Sequence, residues 1–167
     1  GSLGKDYQAE HIIPTSAFHQ LGRGGDLMEG CEGYSTPSAL TWMVRDAQKK
    51  HETHKLLTDP MRQFSQANDL DGRQAPLSEW LDKYEDGATD ALQNAQPPRT
   101  IKPEHESLDV NALTAAAAKC IRGKAEEAFK KMGIRPDTAL RNPWPATNAQ
   151  RERAAAVSAS GSTLDVP

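Results

Sequence analysis

The chain has 167 residues, 37% of them hydrophobic, and a formal net charge of −3 at pH 7. This length suits one domain with a modest core, and the negative charge argues against a protein that coats nucleic acid, because phosphate neutralisation by cations supplies most of that affinity. No apolar run approaches the roughly 20 residues that span a bilayer, so we expect no membrane segment, and we expect no signal peptide.

The first predicted element is a strand over Tyr7–Ile13, and it carries the most informative residues of the chain. Glu10 stands directly before His11, and two β-branched residues and Pro14 follow. This pattern is typical of a short strand that ends at the edge of a site. A carboxylate can hold a divalent cation, and a neutral imidazole can take a proton from water. The pair therefore predicts two of the three parts of a one-metal phosphodiesterase.

A long connection, Pro14–Gly33, follows the predicted strand, and loops of this length tend to be functional. Arg23 stands among three glycines of this connection. It could reach a phosphate beside backbone N–H groups that glycine exposes, or it could only solubilise a flexible loop. Residues 39–44 form an apolar run that fits a buried strand and equally a helix, and periodicity alone leaves both open.

The next predicted element is a helix in which Thr53 caps a turn that begins at His54. Pro60 is expected to restart or kink this helix, which runs through about Ala67. His54 is the candidate for the third part of the site, a second protein ligand of the cation, and His51 is its rival. The nearby basic residues form either a nucleic-acid contact or a solvated face; they are Lys49, Lys50, Lys55 and Arg62.

The remaining chain predicts mainly helices. An amphipathic helix is expected over Leu77–Asn94, and a second helix over Val110–Met132 is expected to end at Gly133. Cys31 and Cys120 fit no metal-ligand spacing and are predicted to be free thiols. The other expected segments are a polar linker at 69–75, a proline-rich connection at 96–106, an irregular stretch at 135–146, a further helix at 148–157 and a frayed tail from 158.

The run Glu-His-Ile-Ile-Pro at residues 10–14 resembles the signature of the HNH/endonuclease VII superfamily, the ββα-metal or His-Me finger nucleases. More narrowly, the sequence resembles nuclease toxin domains of bacterial polymorphic toxins, including type VI secretion effectors. Their signature usually reads x-His-His, and Glu10 replaces the first histidine here. Residues 34–44 and 52–55 look like the second strand and the helix start of such domains, so the resemblance covers about residues 7–68.

This resemblance implies an α+β fold, with a small ββα-metal core in residues 1–68 and an α-helical extension in residues 69–167. His11 is then the general base, and Glu10 with His54 or His51 holds magnesium, manganese, zinc or nickel. The implied function is a metal-dependent DNase toxin that is delivered into a target bacterial cytoplasm and has a cognate immunity protein. The usual middle Asn of HNH motifs is missing. The alternatives are an RNase toxin, and a non-enzymatic helical binding or adaptor module.

Overall fold

A computed structural model of the chain describes residues 7–45, 53–94 and 109–161. Over these ranges the protein is mixed helix and sheet, with two small antiparallel two-stranded sheets, in agreement with the predicted α+β class. Both cysteines are free thiols, as predicted. In chain order the elements are β1 (Tyr7–His11), β2 (Thr41–Arg45), α1 (Thr53–Leu70), β3 (Ala75–Pro76), α2 (Leu77–Asn94), α3 (Val110–Lys131), β4 (Ala139–Leu140) and α4 (Asn148–Gly161).

The first sheet consists of β1 and β2, and it resolves the ambiguity of residues 39–44 in favour of a strand. Glu10 lies opposite Trp42, and His11 lies opposite Thr41. β1 ends at His11, two residues before the predicted end, and the next two residues, Ile12 and Ile13, are both buried in the core. Glu10 and His11 therefore stand at the last two positions of a strand whose continuation anchors it in the core.

The connection between β1 and β2 is less irregular than predicted. It opens with a 3₁₀ turn at Thr15–Phe18, and the Phe18 ring stacks on Tyr34 at 4.0 Å and on Phe129 of α3 at 5.2 Å. An ideal Cβ built on Gly33 would lie 1.9 Å from the carbonyl oxygen of Met132, so only glycine allows this close approach. The connection is thus packed against the C-terminal end of α3.

Helix α1 is continuous from Thr53 to Leu70, so the predicted restart at Pro60 is wrong, and the alternative of a kink there stays a prediction. The predicted linker at 69–75 is also wrong at both ends. Residues 69 and 70 belong to α1, and Ala75 lies in β3, where it pairs with Leu140 of β4. β4 lies within residues 135–146, which were predicted to be irregular, so no local sequence pattern predicts the pairing of β3 with β4.

The C-terminal helices follow the sequence closely. The bounds of α2 are those predicted, α3 ends one residue earlier with Gly133 in a left-handed conformation (φ +79°), and α4 continues to Gly161. Helix α2 packs between α1 and α3, and buried side chains from both sides of residue 69 join one hydrophobic cluster. None of the described helices has the length and apolar character needed to cross a membrane. The buried residues of α2 are Leu77, Trp80, Leu81, Tyr84, Gly87, Ala88 and Ala91.

Candidate functional site

The end of β1 and the start of α1 meet through Glu10 and His54. The Oε2 atom of Glu10 lies 2.8 Å from Nε2 of His54, and the two side chains are 17% and 18% exposed. A carboxylate and an imidazole that are distant in sequence are thus held in direct contact at the edge of the core. Shielding from bulk water strengthens the interaction of this pair with any charge that approaches it.

Helix α1 places His54 rigidly. Thr53, the first residue of the helix, is buried, and the hydroxyl of Thr58 donates a hydrogen bond of 2.8 Å to the His54 carbonyl one turn away. Nδ1 of His54 is buried and has no hydrogen-bond partner among the residues that the structure describes. When Nε2 donates to Glu10, Nδ1 of a neutral ring retains a lone pair.

His11, Glu10 and His54 line one cleft of about 330 Å³. His11 is half-buried there, on the wall formed by the end of β1. A larger cavity of about 610 Å³ between residues 33–40 and α3 contains none of the predicted site residues. The cleft is lined by Ala9, Glu10, His11, Pro14, Thr15, Ser16, Arg23, His54, Thr58, Arg62 and Trp144.

Arg23 enters this cleft from the connection between β1 and β2. It lies between Gly22 (φ +104°) and Gly24 (φ +82°), whose left-handed conformations would strain any other residue. Nδ1 of His19 lies 2.6 Å from the carbonyl oxygen of Gly25 and closes the loop behind Arg23. His19 therefore has a structural role in holding an exposed guanidinium at the rim of the cleft.

The predicted basic cluster on α1 is only partly directed into the cleft. Arg62 lines the cleft, whereas Lys55 does not and instead pairs with Asp59 at 2.9 Å. Arg62 lies 3.5 Å from the same carboxylate, which offsets part of the positive charge of the cluster. Lys50, like Lys49, and His51, the rival metal ligand, lie outside the described residues.

Glu10 and His54 fit one side of a divalent cation site. Oε2 of Glu10 and Nε2 of His54, 2.8 Å apart, could both contact one ion when the ring proton resides on Nδ1. Oxygen and imidazole nitrogen are also ligands that the expected metals accept. Within 7–45, 53–94 and 109–161, no third His, Cys, Asp or Glu completes a metal-binding group. The fit therefore concerns two protein ligands.

Sequence reasoning missed one aromatic wall of the cleft, Trp144. The residue lies between two prolines in a stretch predicted to be irregular, and it carries no pattern that links it to the site. Its backbone is tied to α1 because its carbonyl accepts a hydrogen bond of 2.9 Å from Ser65, and its N–H donates one of 3.0 Å to the same hydroxyl. The guanidinium of Arg62 lies over its ring, 5.8 Å from the centroid.

Tyr84 of α2 lies near Glu10 and is fully buried. Burial, together with the negative charge of Glu10, raises the pKa of its hydroxyl, so the phenol remains protonated. Its oxygen has no hydrogen-bond partner within the described part of the chain. Tyr84 thus places a neutral, protonated phenol near the Glu10 carboxylate.

No protein-family model matches this sequence, and neither curated proteins nor solved structures include a match to it. The geometry of the cleft and the resemblance at residues 10–14 are therefore the two observations that bear on function.

Proposed function

We propose that the protein is a metal-dependent endonuclease that hydrolyses DNA phosphodiester bonds at the cleft between β1 and α1. The observation that carries the proposal is the 2.8 Å contact of Glu10 with His54, with His11 on the adjoining wall of the same cleft. The order β1, β2, α1 is also that of a small ββα-metal core. It supports this finer description of the fold.

The chemistry divides among three side chains. His11, as a neutral imidazole, accepts the proton of the attacking water, a role that such a group can fill when it reaches the cleft. Glu10 and His54 hold the divalent cation, with His51 as the alternative histidine ligand. The bound cation supplies Lewis-acid stabilisation of the phosphate and its leaving oxygen.

Two arginines give the cleft its affinity for phosphate. Arg23 and Arg62 approach from the loop and from α1, and their guanidinium groups can bind phosphate oxygens in a bidentate manner. Their separate origins suit contacts with phosphates on either side of the scissile bond. Such local contacts also reconcile nuclease activity with a chain whose net charge is −3.

The biological setting of this proposal is an interbacterial toxin domain, delivered into the target cytoplasm and blocked by a cognate immunity protein. Its support is the likeness of residues 10–14 to the signature of polymorphic-toxin nucleases. An immunity protein that masks the cleft would have to cover both the Glu10 carboxylate and the two arginines. It would therefore be expected to present charges of both signs.

The activity is tested on supercoiled plasmid and on RNA, each with magnesium, manganese, zinc or nickel. We expect plasmid nicking by the wild type and a loss of about 10²–10⁴-fold in rate for His11→Ala, because base catalysis contributes that much. His105→Ala, the same substitution at a histidine to which no site role is assigned, is the matched control. Wild-type nicking by His11→Ala would refute the assigned base, and cleavage of RNA alone would assign an RNase.

Metal binding is measured separately by calorimetry with manganese. Glu10→Ala and His54→Ala should each weaken binding by at least about tenfold, because even changes outside the ligand shell cost 10–100-fold. Asp59→Ala removes a carboxylate of α1 that does not line the cleft, and it should leave the affinity unchanged. Unchanged binding in His54→Ala with a loss in His51→Ala would move the ligand to His51.

A wild-type protein with neither metal binding nor nuclease activity would instead favour the adaptor-module alternative, in which the histidines are structural. An active wild type, together with a folded Glu10→Ala protein without activity, excludes that alternative. Far-UV circular dichroism and the unfolding midpoint of each variant show whether it is folded.

A further inference from the structure

The indole of Trp144, next to Arg62 in the cleft, is a group that the phosphodiesterase chemistry does not require. Trp144 lines the cleft although it lies far from Glu10 in sequence, and Arg62 lies over its ring. An aromatic face beside a cationic guanidinium is the arrangement with which proteins bind unpaired bases of nucleic acid. A phosphate contact alone would need only the arginine.

The position of this surface is set by α1. His54, Thr58 and Arg62 follow at intervals of four residues and so lie along one face of the helix, which forms one side of the cleft. Eight residues from His54 to Arg62 correspond to about 12 Å along the helix axis. Because Arg62 lies over the indole, the ring lies about two turns of α1 from His54, where a nucleotide next to the scissile phosphate could contact it.

The backbone of Trp144 is held in place. The hydroxyl of Ser65, itself fully buried, bonds both the N–H and the carbonyl of Trp144. A residue whose backbone is fixed before binding has less conformational freedom to lose when a base stacks on its ring. Arg62 is 46% exposed and lies 5.8 Å from the ring centroid, so its guanidinium can move to a phosphate as the base approaches.

We infer that Trp144 and Arg62 form a stacking platform for one unpaired base beside the scissile phosphate, and that the cleft consequently prefers single-stranded DNA to duplex. This inference rests on the proposed nuclease function. A base in a duplex has both faces covered by its neighbours and must leave the stack before it can contact the indole. Single-stranded DNA does not carry that cost.

The test measures binding of a fluorescein-labelled single-stranded oligonucleotide and of its duplex by anisotropy, with His11→Ala as the background so that the DNA stays intact. Trp144→Leu should weaken single-strand binding by about 5- to 150-fold and leave duplex binding nearly unchanged. Trp144→Phe, which keeps an aromatic face, should retain most of the affinity. Arg23→Ala is the matched control, because loss of a phosphate contact should weaken both forms alike.

A series of oligonucleotides with one abasic site at each successive position locates the platform. The His11→Ala protein should bind more weakly when the abasic site is at one particular position of the oligonucleotide. The same protein with Trp144→Leu added should bind equally well with or without the abasic site at that position. Equal effects of Trp144→Leu on single strand and duplex, or no position dependence in the background protein, would overturn the inference.

The two proposals fail in different ways. Binding of single-stranded DNA that depends on Trp144, without cleavage of any DNA by the wild type, would refute the nuclease and retain the platform. A Trp144→Leu protein that cleaves plasmid and keeps the wild-type preference for single-stranded over duplex DNA would refute the platform and retain the nuclease. The circular dichroism spectrum of Trp144→Phe provides the folded reference for Trp144→Leu.

Discussion

The hydroxyl of Ser65 connects the C-terminal segment to α1, and the hydrogen bonds that it makes define how much stability its removal should cost. In Ser65→Ala, two hydrogen bonds of 2.9 and 3.0 Å to Trp144, a residue 79 positions away, are lost. Each is worth about 1 kcal/mol net, so the loss amounts to about 2 kcal/mol. Alanine is the better helix former by up to about 0.5 kcal/mol, which leaves a destabilisation of about 1.5 kcal/mol.

For a protein of this size, such a change lowers the melting temperature by about 3–6 °C. Urea unfolding followed by far-UV circular dichroism measures it, and the m-value should stay constant because the unfolded surface is the same. Ser38→Ala is the control. Its hydroxyl is exposed and, among the residues that the structure describes, has only a 3.5 Å contact with Ser35, so the expected change is within about 0.5 kcal/mol. Equal midpoints for the Ser65 and Ser38 variants would refute this reasoning.

Three further predictions concern packing and the two thiols. Gly33→Ala should destabilise the protein by about 1–3 kcal/mol, because its Cβ would lie 1.9 Å from the Met132 carbonyl oxygen. Gly123→Ala, for which the described neighbours leave the Cβ position open, should stabilise α3 by about 0.5–1 kcal/mol. The urea midpoint should therefore fall for the first variant and rise for the second. In the native protein only the exposed Cys120 should react with a thiol reagent, and labelling of buried Cys31 before unfolding would contradict the core described above. Burial raises the pKa of the Cys31 thiol to about 11, above its value in the unfolded chain. The stability that this thiol contributes should therefore be complete below about pH 9 and fall by at most about 2–3 kcal/mol as the pH rises to 11. Urea unfolding across this range should show that the free energy of unfolding falls more steeply with pH in the wild type than in Cys31→Ala.

Local sequence information was sufficient where an element's own side chains define its buried face. Helix α2 has the predicted bounds because its apolar residues recur at helical spacing from Leu77 onward, and the burial of Trp80 and Tyr84 follows that spacing. The end of α3 was similarly predictable, because Gly133 adopts the left-handed conformation that commonly terminates a helix.

Elements whose stability depends on a distant partner were not predictable in the same way. Residues 39–44 fit a strand and a helix equally, and pairing of β2 with β1 decides between them. The strand β3, two residues long, forms only because β4 approaches it from the other end of the chain. Pro60 was expected to restart or kink α1, but α1 does not restart there and packs against α2 as one continuous helix.

The sequence by itself determined that a carboxylate and an imidazole, Glu10 and His11, stand at the end of a strand, since adjacency along the chain and the following Ile-Ile-Pro are local properties. Only the tertiary structure decided that His54 contacts Glu10, that Arg23 and Arg62 share their cleft and that Lys55 does not. The inclusion of Trp144 was likewise a tertiary result, because it follows from hydrogen bonds to Ser65 across the fold. Such contacts arise when separate elements bury their apolar faces together, and periodicity within one element contains no information about which distant residue will be opposite.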